Sequence, residues 1–85
     1  MPSTERVQLD TLTWKREGYS SWIVPETYIL RNAAGAIYAK VRKDEHGWTW
    51  YTTQTASTYF RYLMEAQAAA EGYVRTHPEL LALNH

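Results

Sequence analysis

Hydrophobic and polar positions follow an extended pattern over most of the first fifty residues and then change period. From Leu9 to about Lys15, with Leu12, Thr13 and Trp14, and again from Tyr19 to Val24, β-favouring residues dominate. Arg16-Glu17-Gly18 punctuates the first run and Pro25 ends the second. Proline cannot donate to a strand ladder, so the second run is an edge strand or turns at Val24-Pro25-Glu26-Thr27. Thr27 to Arg31 resumes the extended pattern. Asn32-Ala33-Ala34-Gly35 and Asp44-Glu45-His46-Gly47 then share one design, Asx first and Gly fourth. The short Asx side chain binds the backbone ahead of it and the glycine accepts left-handed backbone, so both predict hairpin turns. They bound strands near 27–31, 36–43 and 48–53. Beyond them Leu63, Ala66, Ala70, Tyr73 and His77 recur at three- and four-residue steps, the period of a helix. It starts between Ser57 and Tyr62 and stops near His77, where Pro78 disfavours helical backbone. Thr76-His77-Pro78-Glu79 has capping-box spacing and predicts a short final turn of helix over Glu79 to Leu83.

These elements predict an α+β fold: an antiparallel meander of four to five short strands, one helix on one face, and a short C-terminal helix. Residues 1–8 read as a flexible polar arm and residues 9–85 as one domain. A turn of this type followed by a glycine bulge sets its first residue opposite the residue after the glycine. Asp44 then faces Trp48, Arg42 faces Trp50, Val41 faces Tyr51, Leu30 faces Tyr38 and Ile29 faces Ala39. Opposed residues share a sheet face. One face collects Ile29, Ile37, Ala39, Val41 and Tyr51, and the other Tyr28, Leu30, Tyr38, Lys40, Arg42, Trp48 and Trp50. Lys40 and Arg42 lie mid-strand on the second set, where unpaired burial is costly. The first set is therefore expected to pack against Leu63, Ala66, Ala70 and Tyr73.

Composition changes this picture in a few places. The chain has 85 residues, 9 Lys plus Arg against 9 Asp plus Glu, and no cysteine. A single small domain follows, and disulfides, thiolate metal sites and a cysteine nucleophile are excluded. Zero formal charge argues against function by bulk charge. The N-terminus is polar and no stretch nears the ~20 apolar residues of a membrane span, so a soluble cytoplasmic protein without membrane contact is expected. The histidines are His46, His77 and His85, and Asp44-Glu45-His46 reads as a solvated turn rather than a ligand set. No phosphate loop, His-x-Glu pair or nucleophile elbow occurs, so neither catalysis, nor a cofactor, nor a metal is expected.

Aromatic content, at 14%, is the feature that points to a surface. Tyr38, Lys40, Arg42, Trp48 and Trp50, with Tyr28 at the margin, form the expected contact patch, since Trp, Tyr and Arg dominate interface hot spots. Glu65-Ala66-Gln67-Ala68-Ala69-Ala70-Glu71-Gly72-Tyr73-Val74, following Phe60 and Leu63, resembles a loose family of small phage and prophage proteins. These carry Trp- and Tyr-bearing short strands, Gly turns and a closing Ala-rich helix. The likeness runs from Trp14 to His77, with Tyr62 standing where a small N-capping residue is usual. It implies a bacterial host-cell setting and a non-enzymatic accessory or inhibitory role, in the size class of anti-CRISPR proteins, and supplies no functional residues. The leading expectation is a binding protein that inhibits or modulates a host protein through this aromatic-basic face. The alternatives are a single-stranded nucleic-acid module using the same face and a homodimeric structural protein.

Overall fold

The computed structural model describes residues 11–17 and 26–83. Four strands, β1 (Thr13–Arg16), β2 (Thr27–Arg31), β3 (Ile37–Asp44) and β4 (Gly47–Tyr51), precede one helix, α1 (Leu63–Thr76). The strands form one antiparallel sheet in the order β1-β2-β3-β4. The expected arm over 1–8 and the strand over 19–24 lie outside the described residues. No described helix is long and apolar enough to cross a membrane.

Both turns form as their residues require. Asn32 Oδ1 accepts the Ala34 and Ala36 amides at 3.0 Å each, and Gly35 stands at φ 92°. Asp44 Oδ1 accepts the His46 amide at 2.8 Å, and Gly47 stands at φ 133°. Asn32 is buried while holding two backbone donors, so Asn32→Ala leaves both without their acceptor. It should cost about 2 kcal/mol in urea-unfolding experiments.

The register departs from the turn-based expectation in two places. Arg31 faces Ile37 as expected, but a shift between Leu30 and Arg31 then sets Leu30 opposite Ala39 and Ile29 opposite Lys40. Tyr38 is the extra residue of this bulge. At the second turn Asp44 pairs with Gly47, not Trp48, so Lys43 faces Trp48, Val41 faces Trp50 and Lys40 faces Tyr51. At φ 133° Gly47 is well beyond the left-handed helical region and takes a place in the ladder instead of serving as a bulge. A one-residue slip turns every side chain of a strand to the other face. Trp48 and Trp50 therefore join Leu30, Ala39 and Val41, not Lys40 and Arg42.

That face carries the core. Leu30, Tyr38, Ala39, Val41, Trp48 and Trp50 pack with Ala66, Ala70 and Val74 of α1 and with Leu80. The alanines leave room for the indoles. Leu63 and Tyr73 pack on the sheet as expected, but against this cluster with Trp48 and Trp50 and not against the set with Ile29, Ile37 and Tyr51. Ile37 and Tyr51 belong to the opposite face and are only half-buried, and Ile29 is buried there, apart from the cluster. Trp14 Nε1 donates to Glu71 Oε1 at 3.1 Å, joining β1 to the helix. Tyr62 makes no side-chain cap, and the helix ends at His77, as the sequence indicates. Thr76 Oγ1 donates back to the Gly72 and Tyr73 carbonyls, so no capping box forms with Glu79. Residues 79–83 are turns and irregular chain rather than a second helix: Leu80 enters the core and the Leu83 amide donates to Ile37 O at 2.7 Å.

The outer side of β4 is occupied by the chain returning toward the helix. Trp48 and Phe60 exchange backbone hydrogen bonds at 2.8 and 2.7 Å, and the Ser57 amide donates to Trp50 O at 2.8 Å. Thr52 Oγ1 accepts the Gln54 and Thr55 amides, which turns the chain. The Thr-rich run from Thr52 to Thr58 thus has a structural task.

Candidate functional site

The corrected register separates the residues of the expected patch. Tyr38, Trp48 and Trp50 are each 8% exposed in the core. Tyr28 shares the helix-covered face, half-buried, with its hydroxyl donating to Glu26 Oε2 at 3.0 Å and its ring tilted on Trp48. Desolvation and the adjacent Glu26 carboxylate raise its phenol above the ordinary tyrosine range. Lys40 and Arg42 project from the other face. The six residues do not form one surface.

What the ladder assembles instead is a cationic sheet face. Residues in cross-strand rows point the same way. Lys15, Ile29, Lys40 and Tyr51 make the central row. Thr13, Arg31 and Ile37 lie to one side of it, and Thr27, Arg42 and Thr49 to the other. The strands hold Lys15, Arg16, Arg31, Lys40, Arg42 and Lys43, six of the chain's 9 cationic residues, but only Asp44 of its 9 acidic ones. Arg16 and Lys43 are on the helix side, where Arg16 pairs with Glu26 at 3.4 Å and Lys43 lies 5.8 Å from the Trp48 ring. The other four cations, Lys15, Arg31, Lys40 and Arg42, share the face away from the helix.

Asp44, two residues past Arg42 on β3, and Glu17, two past Lys15, share this face, so among the described residues the four are partly neutralised. Lys40 Nζ approaches Glu17 Oε2 at 3.8 Å, with the two side chains 26% and 47% exposed. Such an exposed pair is worth at most about 1 kcal/mol. Among the described residues no ion pair reaches Lys15, Arg31 or Arg42. Lys15 and Arg42 are exposed. Arg31 Nε is buried with no hydrogen-bond partner. An ionised donor left this way carries a desolvation cost.

Lys15 and Arg31 were not among the expected contact residues. Their signal was present in the sequence as the excess of cations within strands, but it needs the β1 and β2 register to place them beside Lys40 and Arg42. Among the described residues no group of three His, Cys, Asp or Glu side chains could hold a metal ion. At the Asp44–Gly47 turn, Asp44 Oδ2 accepts the Tyr59 hydroxyl at 3.3 Å and the His46 ring contacts Tyr59. Asp44 also raises the Tyr59 phenol above its ordinary range. Comparison with family models, with curated proteins and with solved structures gave no match.

Proposed function

We propose that this chain is a non-catalytic binding protein that works through the sheet face opposite its helix, on a partner recognised by negative charge. The observation that carries this reading is the sorting of charge: four cations on one face, three of them without an ion pair among the described residues, in a chain of zero net charge. The reading keeps the binding role expected from the sequence and redraws its surface around Lys15, Arg31, Lys40 and Arg42. A two-fold dimer through this face is disfavoured, because it would set like charges against each other.

Heparin-agarose chromatography tests the reading with a polyanion of no particular sequence. The Lys15→Gln/Lys40→Gln/Arg42→Gln variant should elute at clearly lower salt than the wild type. An Arg16→Gln/Arg61→Gln/Arg75→Gln variant, with the same change of charge away from this face, should elute close to the wild type. Equal loss in both variants would reduce the effect to net charge and remove the proposed surface.

A further inference from the structure

We infer that the polyanion this face fits is double-stranded DNA, a deepening that rests on the polyanion reading above. The first support is spacing. Lys15 and Lys40 stand two strands apart in one row, about 10 Å at ordinary strand separation. Arg42 lies opposite Thr27, four residues along β2 from Arg31. At the usual rise per residue these two arginines are about 14 Å apart. Arg42 stands two residues from Lys40 on β3, so the four cations outline an irregular quadrilateral of about 10 by 14 Å and not a line. A figure of this size reaches phosphates on both sides of a B-form major groove, which is about 12 Å wide. A single strand offers one file of phosphates, which Arg31, Lys40 and Arg42 can follow, and leaves Lys15 without a partner.

The second support is what stands around the cations. Thr13, Thr27, Thr49 and Tyr51 share the face and flank the four, with Ile29 enclosed by them. Hydroxyl groups beside Arg and Lys are the residue types that contact phosphate and sugar. A single-strand platform needs several aromatic faces for bases to stack on. Here Trp48 and Trp50 lie under the helix, and Tyr51 alone of the ladder's aromatics faces this way. A protein partner would be anchored by a protruding apolar or aromatic residue at the centre of the patch. The apolar residue of the central row, Ile29, is only 3% exposed. Duplex RNA is a poorer fit, since its major groove is deep and narrow.

The test is fluorescence anisotropy at 50 mM salt with three labelled probes: a 20-base-pair mixed-sequence DNA duplex, one of its strands alone, and poly-L-glutamate. The duplex should bind tightest. Its affinity should fall by about two orders of magnitude between 50 and 200 mM salt, as expected for about four phosphate contacts. Arg42→Gln and Lys15→Gln should each lower the salt slope by about one unit, with circular dichroism unchanged. Arg75→Gln, on the helix, should leave binding as it is. Equal or tighter binding of the single strand overturns the duplex inference, as does binding that neither substitution weakens. If poly-L-glutamate binds through these cations and the duplex does not, the polyanion reading stands and the DNA inference falls. If none of the three probes binds, both fall.

Discussion

Gly47→Ala should lower the melting temperature by more than about 12 °C, a loss of roughly 3–5 kcal/mol. Two causes act at one position. The residue stands at φ 133°, where a side chain is strained. A Cβ placed there would lie 2.6 Å from the Phe60 carbonyl oxygen. That carbonyl cannot retreat cheaply, because it accepts the Trp48 amide at 2.8 Å and holds the returning chain on β4. Gly35 provides the internal control. It too has positive φ, at 92°, but its Cβ would meet nothing within 4 Å. Gly35→Ala should therefore show the strain alone, about 1–2 kcal/mol. Equal melting temperatures for the two variants would mean that the contact with Phe60 is not rigid.

Trp50→Ala should be comparably damaging, at roughly 3–5 kcal/mol. The indole lies 5.5 Å from the Tyr73 ring, and Tyr73 stacks in turn on His77 at 3.9 Å. Truncation opens a cavity between sheet and helix and removes the support of that column. Trp50→Phe should cost far less. The Trp50 Nε1 group is buried without a hydrogen-bond partner, so phenylalanine sacrifices volume but no hydrogen bond. Tyr51→Ala is the complementary case, because Tyr51 is half-buried on the cationic face. It should cost under about 1.5 kcal/mol. Urea denaturation of the three variants gives the order directly. A Tyr51→Ala loss larger than that of Trp50→Ala would restore the face assignment drawn from turn geometry alone.

The contrast between those residues shows where sequence patterns sufficed and where they did not. Turn positions, the three meander strands and the C-terminal end of α1 depend on local chemistry: Asx side chains, glycine backbone, helical period and Pro78. Which face each strand presents depends on two single-residue choices. Whether Gly47 sits in the ladder or in a bulge is bound up with Phe60, thirteen residues on. The extra residue at Tyr38 adjoins Ile37, whose carbonyl holds the Leu83 amide from the far end of the chain. Neither constraint is a property of the turn sequence. The surface suffered accordingly: Lys40 and Arg42 were legible as exposed cations, whereas their neighbours Lys15 and Arg31 become visible only with the cross-strand pairing.

The sorting of charge also bears on how the molecule behaves toward its own kind. With a sequence pI near 6.8, little net repulsion separates copies at neutral pH. Each copy nevertheless gathers four cations on one sheet surface and, among the described residues, carries most of its carboxylates elsewhere, so it is an electric dipole. Dipoles of this sort attract head to tail when salt is dilute and lose that attraction once the Debye length shrinks to about 10 Å or less. Dilute neutral buffer should therefore give turbid or weakly polymerising solutions that clear on adding sodium chloride, a salting-in that a molecule with evenly mixed charges would not show.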